Sequence, residues 1–141
     1  MEYSLYWGIE KTNLPLVVIN FTDEIGKVSN LCFLIDTGAT HNILFTYVYK
    51  HFKYKFKLLD EEQSIMGIEG EYKETPVIEA TFNFEGQYYT SKFSVYDATE
   101  AMKQVQEETG VQIHGVLSIT FLIENGWIID FEKLKIIIKD E

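Results

Sequence analysis

Apolar and polar residues alternate with a period of two over most of this chain, and a helical period takes over in only two places. Leu14-Pro15-Leu16-Val17-Val18-Ile19-Asn20-Phe21 reads as a strand, with Pro15 near its start, where a missing N–H is tolerated. Asp23 to Lys27 reads as a turn, and Val28 to Ile35 as the returning strand of a hairpin. After Asn42-Ile43-Leu44-Phe45, Thr46 is placed to cap a short helix on which Val48, Tyr49 and Phe52 share a face. Lys53 to Leu58 alternates basic and apolar, as a strand with one solvated face does; the lysines could also dock an acidic partner. Met66-Gly67-Ile68-Glu69-Gly70-Glu71 puts two glycines in a short tip between β-like flanks, either a mobile hairpin or an ordinary loose one. Thr75 to Phe84, a Glu85-Gly86 turn and Tyr88 to Tyr96 predict a further hairpin.

The second helical stretch is Asp97 to Gly110. Asp97 or Thr99 can cap its start, Gly110 suits its end, and Ala98, Ala101, Met102 and Val105 share a face. Beyond it lies the apolar run Gln112 to Leu122. Asn125-Gly126 predicts a hairpin turn, and the strands around it end in Trp127 to Phe131 and Leu134 to Ile138. The sum is a mostly β chain with one main helix. No internal repeat or composition break divides it, so residues 1–141 are expected to form a single domain.

Composition narrows the function. With 46% hydrophobic and 15% aromatic residues, the chain can build a packed core. A net charge of −10 argues against nucleic-acid backbones and anionic membrane surfaces as partners, and serves solubility. The single cysteine, Cys32, allows no intrachain disulfide and reads as a buried strand residue. No apolar run approaches the roughly 20 residues that span a bilayer, and Met1-Glu2-Tyr3-Ser4 lacks the order of a secretory signal. A soluble cytoplasmic protein is the expectation. His41, His51 and His114 fit no metal-ligand spacing, the glycines are too scattered to cradle a phosphate, and no cofactor or metal is expected.

The chemistry concentrates at Leu34-Ile35-Asp36-Thr37-Gly38-Ala39-Thr40. A strand core ending on an acid must pair or hydrogen-bond that carboxylate, because burying it bare is costly. Gly38 permits a tight turn and close approach, and the Thr37 and Thr40 hydroxyls can bond nearby backbone groups. Asp36 so held is either a catalytic acid or a structural loop acid in an Asx-type turn. His41 is near enough in sequence to tune it, and equally could pack or face solvent.

At these residues the chain resembles the retropepsin-like aspartic proteases, whose active-site loop reads apolar-apolar-Asp-Thr/Ser-Gly-Ala/Ser. The likeness extends over about residues 14–138. Gly67 to Gly70 lies where the family has its flap, and Gly115-Val116-Leu117-Ser118 where it has its second loop. Phe121-Leu122, Asn125-Gly126 and Ile129-Asp130-Phe131 follow in the order of bacterial single-domain members. The resemblance implies a closed, barrel-like acid-protease lobe that works as a homodimer on extended peptide or protein substrates. Each subunit would supply one Asp36, because metal-free hydrolysis needs two carboxyl groups sharing a proton and this chain has one Asp-Thr-Gly. It further implies that Thr37 bonds across the dimer axis, that the Gly38 backbone fixes the carboxylates, that Ala39 and Thr40 complete the loop, and that Gly67, Ile68, Glu69 and Gly70 close over the peptide. Asp130 reads as a strand-end acid. Ser118 stands where the family usually has glycine; the other reading it leaves open is a non-catalytic peptide-binding or dimerisation module on the same fold.

Overall fold

The computed structural model describes residues 1–22, 26–52, 56–66 and 70–139. Two strands, β2 (Leu16–Thr22) and β3 (Val28–Asp36), form the predicted antiparallel hairpin, with Leu16 opposite Leu34 and Thr22 opposite Val28. The short β4 (Ile43–Phe45) follows the Asp36 loop. β5 (Lys57–Met66), β6 (Tyr72–Phe84) and β7 (Gln87–Tyr96) run antiparallel, and β8 (Gly115–Ser118) inserts between β3 and β4, parallel to β3. The sheet order is β2-β3-β8-β4-β7-β6-β5, and a further β2–β6 pairing at Asn20 and Asn83 closes six of these strands into a barrel with β5 outside it. In a separate small sheet, β10 (Lys135–Ile137) pairs with β1 (Glu2–Ser4) on one side and β9 (Ile128–Asp130) on the other.

Alternation explains the barrel. Ile78, Ala80, Phe82 and Phe84 of β6 point inward, with the residues between them facing out. Phe33, Phe82, Phe93 and Phe121 are fully buried, and Phe82 sits 6.1 Å from Phe93 and 5.8 Å from Phe121, ring centre to ring centre. β3 departs from simple alternation because both its faces are covered. Leu31, Phe33 and Ile35 face the barrel core, while Cys32 and Leu34 pack into a second cluster with Leu16, Phe45, Ile113 and Val116. The strand that carries Asp36 is therefore held from both sides.

Helix α3 (Thr99–Thr109) covers that second cluster through Ala98, Met102 and Val105. Asp97 Oδ1 accepts bonds from the Thr99 amide at 3.0 Å and the Thr99 hydroxyl at 2.7 Å, which hold the Asp97 carboxyl below its ordinary range. Gly110, at φ 75°, ends the helix as expected. Ala101 is exposed, a correction to the predicted apolar face: the helix lies at the surface and buries only a narrow stripe.

Three further helices are present among the described residues: α1 (Tyr6–Thr12), α2 (Thr46–Phe52) and α4 (Ile119–Glu124). Thr46, expected as the N-cap, is instead the first helical residue of α2. Neither α1 nor α4 follows from the alternation, and α4 turns the expected hairpin at Asn125-Gly126 into a helix end. The Asn125 amide donates to the Phe121 carbonyl at 3.1 Å and Gly126 adopts φ 64°. The strand expected over Lys53 to Leu58 is also displaced. Lys53, Tyr54 and Lys55 lie outside the described residues, Phe56 is buried edge-on against Phe21, and β5 starts at Lys57. The expected Asp23–Lys27 turn lies outside the described residues except at Gly26 and Lys27. Among the described residues no helix is long and apolar enough to cross a membrane.

Candidate active site

Asp36 is the last residue of β3. Its strand is bonded to β2 on one side and β8 on the other, with Asp36 in register with Ser118 and the Ile35 amide bonded to the Pro15 carbonyl at 2.9 Å. The chain then turns sharply. The Ala39 amide donates to the Asp36 carbonyl at 3.1 Å, and the Gly38 amide to Asp36 Oδ1 at 2.9 Å. A Cβ on Gly38 would sit 3.3 Å from that carboxylate oxygen, which would have to give by a few tenths of an ångström. Asp36 is half-buried; Thr37 and Gly38 are exposed. The bonds that shape the loop come from the Asp36 carboxylate and from Thr120, whose hydroxyl donates to the Thr40 carbonyl at 2.8 Å, rather than from the Thr37 and Thr40 hydroxyls.

The second loop is β8 itself. Gly115, Val116, Leu117 and Ser118 are all buried. A Cβ on Gly115 would lie 2.6 Å from Phe33 Cζ and press on the Ile43 carbonyl oxygen, so only glycine lets β8 fit between β3 and β4. Ser118 is the N-cap of α4. Its Oγ accepts from the Phe121 amide at 3.2 Å and donates to Asn42 Oδ1 at 3.0 Å, and the Ser118 amide donates to the same oxygen at 2.9 Å.

Asn42, which the sequence reading passed over, is buried with both ends of its amide bonded. Its Nδ2 donates to Ser91 Oγ at 2.9 Å and to the Lys92 carbonyl at 3.0 Å on β7. Its backbone carbonyl accepts from the Ser94 amide at 2.8 Å. The available signal was a lone amide beside the apolar run Ile43-Leu44-Phe45, but its partners lie 49 to 76 residues away in sequence.

The expected flap falls at the β5–β6 hairpin. The last described pair is Met66 with Tyr72, both exposed, and Gly70 has φ 83°. Gly67, Ile68 and Glu69 lie outside the described residues. His41 lines a polar cavity of about 450 Å³ together with Thr40, Gln63, Glu79 and Lys92; Asp36 does not line it. Cys32 is buried, and burial pushes its thiol up to about 11, which keeps it protonated at neutral pH. Asp130 closes the β9–β10 turn by accepting from the Lys133 amide at 2.9 Å.

No protein-family model matches the chain, and no curated protein sequence matches it. Solved structures do. EIAV protease complexed with the inhibitor HBY-793 is 22% identical and superposes with a TM-score of 0.57, over 80% of this chain and 88% of that one. The retroviral protease-like domain of Ddi1 from Leishmania major is 12% identical, with a TM-score of 0.53 over 91% of this chain and 95% of that one. The chain has the retropepsin-like fold: a mostly β, six-stranded closed barrel with few helices.

Proposed function

We propose that the chain is an aspartic endopeptidase that acts as a homodimer. The observation that carries this reading is the Asp36 loop. On a retropepsin-like fold, a half-buried carboxylate stands at the end of a doubly supported strand, with one oxygen held by the Gly38 amide. A single carboxylate cannot both take a proton from water and deliver one to the scissile carbonyl. Two at close range share one proton, because they cannot both ionise. A two-fold dimer supplies the second Asp36.

In the dyad, the ionised carboxylate takes a proton from water as the water oxygen bonds to the peptide carbon. The protonated partner gives its proton to the carbonyl oxygen. Collapse of the tetrahedral diol then breaks the C–N bond: the carboxyl that took its proton from water gives it to the leaving nitrogen, and the other, now ionised, takes one diol proton, which restores the singly protonated dyad. Thr37, exposed beside Asp36, holds the two loops together across the axis. Gly38 orients the carboxylate, Ala39 and Thr40 continue the loop, and β8 with Gly115 to Ser118 backs it. The hairpin carrying Gly67 to Gly70 covers an extended peptide, which binds through backbone hydrogen bonds with side chains in alternating pockets.

The test is cleavage of a mixed peptide library across enzyme concentrations, beside Asp36→Asn. The substitution removes the ionisable group and keeps its shape. Cleavage is expected to fall at least a thousandfold in the variant, on the order of 4 kcal/mol of transition-state stabilisation. Unchanged cleavage in Asp36→Asn overturns the mechanism. A folded wild-type chain that binds peptides and cuts none supports a binding module instead.

A further inference from the structure

We propose that Asn42 and Ser118 are a positioning pair that sets the Asp36 loop within one subunit, before a partner subunit or a substrate arrives. The proposal deepens the peptidase reading and rests on it for the role of Asp36. Both ends of the loop close on one residue. Asp36 is in register with Ser118 across the β3–β8 ladder, and six residues later Asn42 Oδ1 accepts from both the Ser118 amide and the Ser118 hydroxyl. Between these anchors the Ala39 carbonyl accepts from the Ile119 amide at 3.0 Å, and the Thr40 carbonyl from the Thr120 hydroxyl at 2.8 Å. The loop is thus laced to the first turn of α4 along its length. The far side of Asn42 is tied to β7 through Ser91 and Lys92, so a shift of the loop breaks either the buried bonds to Ser118 or the part-buried ones to β7.

The serine is a working part of this arrangement. Glycine at 118 would keep the amide and lose the hydroxyl. Asn42 Oδ1 would then lose one of its two donors, and the Phe121 amide would lose its acceptor, at a position with 1% exposure. Where the resemblance leads one to expect glycine, this chain has coupled a serine to an asparagine 76 residues away. Restoring glycine loosens the loop and does not improve it.

The experiment compares Ser118→Ala, Ser118→Gly and Ser118→Thr with Ile136→Val, a buried change in the small terminal sheet that lowers global stability without touching the loop. Two NMR readouts need no turnover: amide exchange at Ala39 and Ile119, and the 13C titration midpoint of the Asp36 carboxyl. In Ser118→Ala and Ser118→Gly, both amides are expected to exchange at least tenfold faster than in Ile136→Val after correction for global stability, and the Asp36 midpoint to move. Ser118→Thr, which keeps the hydroxyl, is expected to restore both. Where peptides are cleaved, kcat falls tenfold or more with KM within about twofold. Loop amides and an Asp36 midpoint that track global stability alone overturn the proposal, as does a Ser118→Thr protein as loose as Ser118→Ala. A chain that cleaves nothing leaves these NMR readouts decisive, and a failure of the positioning pair leaves the Asp36→Asn comparison standing.

Discussion

The imidazole of His114 accepts a hydrogen bond from the Cys32 amide, Nδ1 to N 2.9 Å, joining the residue just before β8 to the middle of β3, four residues ahead of Asp36. The two residues are joined a second time through the His114 amide and the Cys32 carbonyl, at 2.8 Å. Nδ1 can accept only while it carries no proton. Protonation would set an N–H against an N–H in a partly buried place, beside the Tyr47 ring.

Burial, the larger influence, holds the His114 pKa below its ordinary 6.5. The sign of the pH dependence follows. Between the lowered folded value and 6.5 the unfolded chain binds more protons, so stability rises with pH across that window. The contribution is complete above about 6.5 and is lost as pH falls through the folded value. Thermal melts from pH 7.5 to 4.5 are expected to show a falling midpoint in the wild type. His114→Asn, whose side-chain oxygen can accept from the same amide, is expected to flatten that slope.

Gly115→Ala tests the fit of β8. The added methyl meets the Phe33 ring and the Ile43 carbonyl oxygen, and backbone cannot move aside as a side-chain tip can. A loss of about 3 kcal/mol or more in urea unfolding is expected, at or beyond the upper end of ordinary overpacking. A loss below about 1 kcal/mol would mean that β8 sits less tightly than described.

Gly38→Ala separates stability from chemistry. Its Cβ meets one atom, Asp36 Oδ1, at 3.3 Å. The folded state is expected to lose no more than about 1 kcal/mol, while a carboxylate displaced by a few tenths of an ångström lowers kcat/KM at least tenfold. Paired melts and peptide kinetics check both halves.

Charge predicts how copies associate. Each chain carries −10, so the proposed homodimer would form against its own repulsion at neutral pH and low salt. Raising ionic strength from about 0.01 to 0.15 M shortens the screening length from ~30 to ~8 Å. Sedimentation at pH 7 is expected to show a dimer dissociation constant that falls by about an order of magnitude over that range. Cleavage at dilute enzyme is expected to rise with it, and to be higher in mild acid than at neutral pH. The His114 switch bounds that gain on the acid side. An alkaline optimum without a salt effect would contradict the charge argument.

The parts legible in the sequence are those whose pattern is local. The β2–β3 and β6–β7 hairpins and the span of α3 follow from alternation, turn residues and the Gly110 helix end, and the order of the Asp36 loop and β8 follows from the family resemblance. The misreadings share a cause. Ile119-Thr120-Phe121-Leu122-Ile123 is β-branched and apolar enough to look like a strand, and it becomes a helix because Ser118 caps it and Phe121 and Leu122 bury there. Asn-Gly serves hairpins and helix ends alike, so the misjudged helix carried Asn125-Gly126 with it. Asn42 was illegible for a deeper reason. All of its side-chain partners are distant in sequence, and no local period encodes them.

The parallel pairing of β3 with β8 also bears on how the protein is made. Until the ribosome has delivered Gly115 to Ser118, the strand ending in Asp36 has β2 alone beside it, and its other edge displays unpaired amides and carbonyls next to Leu31, Phe33 and Ile35. Long-range parallel pairing is slow to form, and synthesis of the intervening residues takes seconds. A nascent chain therefore carries the Asp36 strand as a sticky edge until residue 118 has been made. Fragments that stop short of residue 115 should precipitate through that edge, while a chain that includes β8 has it covered from Phe33 to Asp36.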